Sequence, residues 1–176
     1  MLRRLEDAFL TRLRGGAVDD ERRVARLRAR GVRIGEGCWI HTEAFSTEPF
    51  LVEIGDHVAI AAGVQFVTHE GAAWLLRPQH PDLQVFGRIR IDDDCVIGMN
   101  SILLPGTTIG RRCVIGAGSI VKGEVPEGSV FAGNPARFLK KTDELMEKLV
   151  RHGDRLDLWS VPAAEREARL RRHFGV

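Results

Sequence analysis

The sequence lacks any long apolar run. None of its 176 residues belongs to a hydrophobic stretch of the roughly 18 residues that a membrane-spanning helix needs. The first residues carry charges throughout, unlike the start of a secretory signal peptide. We therefore expect no membrane span, and a cytoplasmic location is the default prediction.

The sequence also has little net charge. Its 26 lysines and arginines nearly balance its 24 aspartates and glutamates, so the formal net charge is only +2. A protein that binds nucleic acid through an overall basic field would carry far more positive charge. Arginines do crowd both ends of the chain, in residues 2–4 and 169–172, but apolar residues at helical spacing lie among them. Solvated helix faces explain both clusters better than a binding patch does.

What the sequence does contain is a period of six. From Ile91 to Pro126 it divides into six consecutive units: IDDDCV, IGMNSI, LLPGTT, IGRRCV, IGAGSI and VKGEVP. Each unit opens with an aliphatic residue and has a small or short residue at its fifth position. Such a period is typical of a repeat architecture, in which each short strand and turn buries its apolar side only by stacking on its neighbours. The pattern therefore predicts an all-β solenoid whose coils pair in parallel, about 4.8 Å apart.

The same period begins upstream and is interrupted twice. Units open at Ile34 and Ile54, but the segment of residues 46–53 is longer than one unit, which indicates a small insertion. The period stops at Glu70, where the fifth position becomes charged, and residues 71–88 keep no period before it resumes. A non-periodic segment that leaves a regular scaffold commonly carries function, so we predict one projecting loop at 71–88.

Both ends of the chain are predicted to be helical. Apolar residues at spacings of three, four and seven in residues 1–30 favour one or two amphipathic helices that cap the first coil. These residues are Leu2, Leu5, Phe9, Leu13, Val24 and Leu27. Glycines and prolines indicate a closing loop after the repeat, and apolar patterns predict helices over residues 138–150 and about 163–173. We accordingly divide the chain into an N-terminal cap (1–30), a solenoid (31–137) and a helical tail (138–176).

The three cysteines fit the repeat rather than a reactive site. Cys38, Cys95 and Cys113 all occupy the fifth position of a unit, where a free cysteine packs as a small hydrophobic residue. They lack the paired spacing with another cysteine or with histidine that a zinc site requires. We therefore expect them in the core, and we expect no metal ion.

Several segments resemble the hexapeptide-repeat acyltransferases. They are IGEGC, IGDHVAIAAGVQF, VIGMNSILLPGTTIGRRCVIGAGSIV and FAGNPAR, and the likeness covers about residues 31–145. The resemblance implies a left-handed parallel β-helix of triangular section, with three units per coil. The Gly-Asn-Pro-Ala-Arg motif of residues 133–137 resembles the closing motif of one branch of this family. That branch contains the xenobiotic, maltose and surface-polysaccharide acetyltransferases.

The resemblance also implies how such a protein works. Family members are homotrimers that bind acyl-CoA in the groove between neighbouring β-helices, under a loop that projects from one coil. A histidine at the start of that loop acts as general base, and the matching residue here is His69. An unperturbed imidazole, with a pKa of about 6.5, is suited to take a proton from an attacking hydroxyl at pH 7. Direct transfer needs no enzyme nucleophile, and the sequence has no nucleophile-elbow pattern.

Other candidate residues belong to the base, the donor or the acceptor. Glu70 is a candidate catalytic residue that orients His69 or binds substrate, and a solvated turn residue is an equal alternative. For the donor, small residues let a pantetheine arm approach the backbone, and an arginine suits a CoA phosphate. The candidate donor-binding residues are Gly98, Asn100, Gly116, Ala117, Asn134 and Arg137. The candidate acceptor-binding residues are Trp74, His80 and Phe86.

The residues and the resemblance together favour transfer of an acetyl group from acetyl-CoA to a hydroxyl of a saccharide. N-acylation of an amino-sugar or an antibiotic uses the same machinery and stays an alternative. A different class would be a metal enzyme similar to carbonic anhydrase, or a non-catalytic trimeric scaffold. The metal enzyme needs three converging histidines, and after His57 and His69 the outward repeat positions offer none.

Overall fold

The computed structural model describes residues 20–158 and 160–176. Its first element, helix α1, runs to residue 29. Leu27 on this helix is fully buried, and the Arg28 guanidinium donates to the Ile34 carbonyl at 2.9 Å. Helix α1 therefore covers the start of the first coil. The residues Leu2, Leu5, Phe9 and Leu13, predicted to be helical, lie outside the described part of the chain.

Short strands make up most of the chain that follows. They are β1 Arg33–Ile34, β2 Trp39–Ile40, β3 Val52–Ile54, β4 Ala59–Ile60, β5 Gln65–Phe66, β6 Ile89–Ile91, β7 Val96–Ile97, β8 Ile102–Leu103, β9 Thr108–Ile109, β10 Val114–Ile115, β11 Ile120–Val121, β12 Glu124–Val125, β13 Ser129–Gly133 and β14 Ala136–Lys141. Two helices come after them, α2 Thr142–Val150 and α3 Ala163–Phe174. Most strands are two residues long because each six-residue unit must also make a turn.

The strands form three sheets, which the chain visits in turn. The first sheet has the order β1-β3-β6-β9-β12, the second β14-β13-β10-β7-β4-β2 and the third β11-β8-β5. Neighbouring strands pair in parallel, for example Ile34 with Ile54 and Ile97 with Ile115, whereas β13 and β14 are antiparallel. Since consecutive strands of the repeat lie in different sheets, the chain winds in three-sided coils. The predicted solenoid of parallel strands is therefore confirmed.

The first and fifth positions of the units build the interior of the solenoid. Ile97, which opens a unit, is 0% exposed, and so are Cys95 and Thr107 at fifth positions. The Thr107 hydroxyl lies 2.7 and 3.0 Å from the carbonyl oxygens of Leu104 and Val121. This hydroxyl is buried at little cost, because it keeps a hydrogen bond inside the core.

The cysteines pack in the same interior. Cys95 and Cys113 are fully buried, and Cys38 is half-buried. The Cys95 and Cys113 thiols lie 3.1 and 3.0 Å from the carbonyl oxygens of Gly110 and Pro126 in the next coil. A hydrogen bond with Cys113, together with burial, raises the pKa of the Cys95 thiol, so this thiol stays protonated. These surroundings fit the packing role predicted for the cysteines.

The end of the solenoid differs from our prediction. We predicted a helix over 138–150, but Phe138 and Leu139 lie on strand β14, and the helix begins only at Thr142. Strand β14 pairs with β13, which would otherwise be the open edge of the second sheet. Phe138 also packs edge-on against Phe131 of β13, with ring centroids 6.0 Å apart. These residues form a strand that covers the open edge of the second sheet, although their apolar spacing favours a helix.

Helix α3 ends the chain, as the apolar pattern over about 163–173 predicted. Its side chains are exposed, and it carries the ion pairs Glu165–Arg169 and Glu167–Arg171. Of the helices in the described ranges, none is both long and apolar enough to cross a membrane. The division of the chain into three domains stays a prediction.

Candidate active site

The predicted loop leaves the solenoid at the edge between the third and first sheets. Strand β5 ends at Phe66 in the third sheet, and β6 begins at Ile89 in the first. The two arms of the loop pair where they meet the solenoid. Gly87 N–H donates to the Thr68 carbonyl at 2.9 Å, and His69 forms an antiparallel bridge with Phe86. This pairing holds His69 at the neck of the loop, where the rigid scaffold ends.

Glu70 organises the loop that follows. Its carboxylate accepts a hydrogen bond from Ala72 N–H at 3.1 Å and so caps the short 3-10 helix Gly71–Leu76. Its own N–H donates to the Val85 carbonyl on the returning arm at 2.8 Å. The side chain of Glu70 therefore stabilises the loop, and the residue that contacts the His69 ring is a different one.

That residue is Glu48, which sequence reasoning missed. The inserted segment of residues 46–53 forms a 3-10 turn at Pro49–Leu51, and Glu48 directly precedes it. The Glu48 carboxylate lies 3.0 Å from His69 Nδ1 and accepts a hydrogen bond from the Thr68 hydroxyl at 2.8 Å. The only signal in the sequence was the insertion itself, because Glu48 and His69 are 21 residues apart.

The surroundings of Glu48 fix its protonation state. Hydrogen bonds from the Thr47 hydroxyl, His69 and the Thr68 hydroxyl lower the pKa of Glu48 from 4.5 to about 2. Each of these donors favours the charged form of the carboxylate, which outweighs the opposing effect of burial. Glu48 is therefore ionised at neutral pH.

An ionised Glu48 determines the tautomer of neutral His69. A carboxylate only accepts hydrogen bonds, so the proton in the contact belongs to His69 Nδ1. The lone pair of the neutral ring then lies on Nε2. The His69 side chain is 43% exposed, so the ring is partly accessible from solvent. The geometry thus prepares His69 to accept a proton at Nε2.

A cavity of about 320 Å³ lies beside this pair. It is enclosed by the neck, the 3-10 helix and the returning arm of the loop. Its lining residues are Thr47, Glu48, His69, Glu70, Gly71, Ala73, Trp74, Arg77, Leu83, Gln84, Val85 and Phe86. Trp74 and Phe86, two of the three predicted acceptor residues, therefore line the same cavity as His69. His80, the third, is exposed and lies outside it.

The predicted donor-binding residues lie at a different edge. Gly98 and Asn100 follow β7, and Gly116 and Ala117 follow β10, so all four lie between the second and third sheets. A Cβ on Gly98 would stand 2.5 Å from Ala117 N, so glycine is required there for the coils to stack. Asn100 makes the turn with a left-handed φ of 58°. The structure brings these residues together, but it does not bring them to His69.

Asn134 and Arg137 lie in the hairpin that adjoins this second edge. Asn134 precedes Pro135 in the turn between β13 and β14, and the peptide bond between them is cis. Arg137 pairs across the hairpin with Ala132, whose Cβ would stand 2.6 Å from a Cβ placed on Gly116. The Arg137 side chain is exposed and donates to the Ala136 carbonyl at 3.0 Å. All six predicted donor-binding residues thus belong to one region of the surface.

A second cavity, of about 710 Å³, lies on the outer face of the second sheet. Its walls are mainly apolar and include Trp39, Val96 and Val114 on the strands and Met146 on α2. Trp39 and Val96 are 47% and 45% exposed. Within the described ranges, no three side chains of histidine, cysteine, aspartate or glutamate converge to hold a metal ion.

Comparisons with known proteins agree with this architecture. Residues 88–123 match the family described as bacterial transferase hexapeptide (six repeats). The protein CapG of Staphylococcus aureus is 40% identical over 132 residues, which are 73% of this chain and 77% of CapG. A maltose O-acetyltransferase from Clostridium difficile is 34% identical, with a TM-score of 0.56 over 63% of this chain and 59% of that one. A hexapeptide-repeat acetyltransferase from Vibrio cholerae, solved in complex with acetyl-CoA, is 32% identical, with a TM-score of 0.57 over 64% of this chain and 61% of that one.

Proposed function

Because this chain belongs to the hexapeptide-repeat family of bacterial transferases and is an acetyltransferase, we propose that it moves the acetyl group of acetyl-CoA to a hydroxyl of a saccharide-type acceptor. The observation that carries the proposal is the Glu48–His69 pair at the neck of the loop, beside a cavity. The similarity to a maltose O-acetyltransferase supports a sugar as the acceptor. Trp74 and Phe86 support it as well, since they give the cavity aromatic walls.

In the proposed reaction His69 is the general base. Its Nε2 takes the proton of the acceptor hydroxyl as the hydroxyl oxygen attacks the carbonyl carbon of the thioester. The carbon–sulfur bond then breaks, and the protonated imidazole gives its proton to the departing sulfur, so that free CoA leaves as a thiol. Glu48 holds the ring in the required tautomer and stabilises its positive charge between the two proton transfers. A positioned base contributes about 10² to 10⁴ in rate, and most of the remaining acceleration comes from holding the two substrates together.

The position of the donor-binding residues supports a site shared between subunits. Gly98, Asn100, Gly116 and Ala117 lie at one edge of the solenoid and His69 at another. We place acetyl-CoA between the His69 edge of one chain and this second edge of a neighbouring copy. Arg137 in the adjoining hairpin then meets a CoA phosphate, and Asn134 contacts the donor beside it.

The proposed assembly is a homotrimer of left-handed β-helices, as in the family. The apolar outer face of the second sheet supports an interface, because Trp39 and Val96 there are nearly half exposed in the single chain. The loop supports it too, since Trp74 and Leu75 are 70% and 77% exposed. Sedimentation at micromolar concentration tests this part, and a monomer would remove the shared site.

The reaction is tested by thiol release from acetyl-CoA with a panel of sugars and amino-sugars. For the acceptor that gives the fastest release, His69→Ala is expected to lower kcat by about 10² to 10⁴. His80→Ala is the matched control, because His80 belongs to the same loop but lies outside the cavity. Equal turnover of wild type and His69→Ala would reject the base, and release only with amino-sugars would favour N-acylation.

A further inference from the structure

Arg77 is a charged residue of the cavity that the proposed reaction does not use. It ends the 3-10 helix Gly71–Leu76, and its N–H donates to the Trp74 carbonyl at 3.3 Å. Its guanidinium carbon lies 5.2 Å from the centre of the Trp74 ring. The guanidinium thus lies over an aromatic face, and its N–H donors point outward in the plane of the group. Arg77 and His69 both line this cavity.

The Arg77 guanidinium has no carboxylate within 4.0 Å among residues 20–158 and 160–176, and it donates no hydrogen bond to them. Arginines on the solenoid itself commonly have such partners, as Arg33 has Glu53 and Arg112 has Asp143. An arginine offers five N–H donors in a fork that matches two oxygens of a carboxylate or phosphate. Within the described ranges, no acceptor occupies this fork in Arg77.

The two carboxylates of the cavity do not neutralise Arg77. Glu48 accepts hydrogen bonds from His69 and Thr68, and Glu70 accepts one from Ala72 N–H. Glu70 and Arg77 flank the 3-10 helix at its opposite ends. Both carboxylates are therefore occupied by other donors, and Arg77 lines the cavity without a carboxylate partner among residues 20–158 and 160–176.

We propose that the acceptor is an acidic saccharide whose anionic group binds Arg77 while its reacting hydroxyl lies at His69 Nε2. The inference rests on the proposed function and adds the chemical class of the acceptor. A volume of about 320 Å³ lies at the lower end of the usual range for small-ligand sites and suits one sugar ring with a charged substituent. The anionic group is a carboxylate, as in a uronic acid, or a phosphate ester, because both present paired oxygens to the fork.

The test compares acceptors that are matched except at C6, which carries a neutral hydroxyl or an anionic group. Methyl glycosides of several hexoses are paired with the corresponding uronic acids and with the hexose 6-phosphates. Binding is followed by ligand-observed NMR, and kcat/KM by thiol release from acetyl-CoA. At least one acidic sugar is expected to bind more tightly than its neutral partner and to react faster. A uronic acid that outperforms the phosphate identifies a carboxylate, and the reverse order identifies a phosphate ester.

Variants then assign the preference to Arg77. Arg77→Gln is expected to lower kcat/KM for the acidic sugar by roughly 10- to 100-fold, the value of a charge-assisted hydrogen bond, and to reduce the ratio of acidic to neutral sugar accordingly. Arg88→Gln is the matched control, because it removes the same charge from a residue outside the cavity. Arg77→Lys keeps the charge without the fork, so it is expected to fall between wild type and Arg77→Gln.

Two results would overturn the proposal. One is that no acidic sugar of the panel binds better than its neutral partner, which includes the case of no detectable binding. The other is that Arg88→Gln reduces the ratio of acidic to neutral sugar as much as Arg77→Gln does. Failure of the proposed function is seen separately, as absence of thiol release with every saccharide, while the binding data still decide the role of Arg77.

Discussion

The apolar side chains that open the units of the repeat, residues 91–126, are buried, whereas many apolar side chains of the loop, residues 71–88, are exposed. In the repeat, the residues that open each unit point inward, and Ile97, Leu103 and Ile109 are fully buried. In the loop, Trp74 and Leu75 are mostly exposed. Hydrogen bonds of the repeat run from coil to coil, whereas those of the loop close its own neck and helix. The repeat supplies buried apolar side chains to the core, and the loop supplies most of the side chains that line the first cavity.

The comparison supports the proposal that the general base lies at the junction of the two regions. A general base must be held within a fraction of an ångström and must also be open to its substrate. His69 meets both needs, because its backbone pairs with Phe86 and its ring contacts Glu48 while its side chain stays 43% exposed. A residue deep in the repeat would be rigid but closed, and one at the loop tip would be open but loosely held.

The largest expected effect is a difference in the free energy of unfolding between a variant of the repeat and a variant of the loop. Ile97→Ala removes a fully buried side chain from the repeat and is expected to lower the free energy of unfolding by about 2–5 kcal/mol, through lost transfer energy and a cavity. Leu75→Ala removes an apolar side chain that is 77% exposed and is expected to change it by less than about 0.5 kcal/mol in the single chain. Urea unfolding at a concentration where the protein is monomeric measures both. Similar losses in the two variants would mean that the loop is part of the core.

The next effect concerns the role of Glu48 in positioning the His69 ring, which is measured by kcat. Glu48→Gln keeps the shape of the side chain but removes the charge that holds Nδ1–H of His69, so kcat is expected to fall by about 10- to 100-fold. The melting temperature is expected to fall as well, because the amide oxygen accepts weaker hydrogen bonds than the charged carboxylate, and thermal unfolding shows whether the variant is folded at the assay temperature. Glu53→Gln is the matched control, since its carboxylate pairs with Arg33 on the first sheet. An unchanged kcat in Glu48→Gln would show that the ring needs no carboxylate partner.

A smaller effect concerns pH. The folded-state pKa of Glu48 is lowered from 4.5 to about 2. A lowered pKa contributes stability that is fully present above pH 4.5 and is lost as pH falls towards 2. The difference in melting temperature between wild type and Glu48→Gln is therefore expected to shrink over this interval, and thermal unfolding from pH 6 to pH 2 measures it. A difference that stays constant across this range would contradict the low pKa.

The smallest expected effect lies on the outside of the repeat. The Arg33–Glu53 pair has a 2.6 Å contact between strands of the first sheet, but both side chains are about half exposed. Such surface pairs contribute about 0–1 kcal/mol, so Arg33→Ala is expected to change the free energy of unfolding by less than about 1 kcal/mol, and less still at high salt. Comparing it with Ile97→Ala shows that the stability of the repeat comes from its interior. A loss as large as that of Ile97→Ala would show otherwise.

Sequence patterns predicted the scaffold well and the site only in part. The period of six identified the buried positions, and the point where it stops identified His69 as the residue at the neck of the loop. The resemblance to the hexapeptide-repeat family is confirmed. The helix predicted to begin at 138 was wrong in its first residues, because Phe138 and Leu139 cover the open edge of the second sheet as strand β14. The roles of the site residues stay predictions.

The sequence by itself determined the solenoid. Residues six apart occupy equivalent places in successive faces, so the pattern of burial can be read from neighbouring residues in the sequence. What only the tertiary structure decided was which distant residues meet. Glu48 reaches His69 across 21 residues, since the inserted turn of one coil lies beside the corner from which the loop departs. Gly98 and Gly116 lie at one edge of the third sheet, and His69 lies at the other edge of that sheet. Contacts of this kind depend on how coils stack, and no local pattern records them.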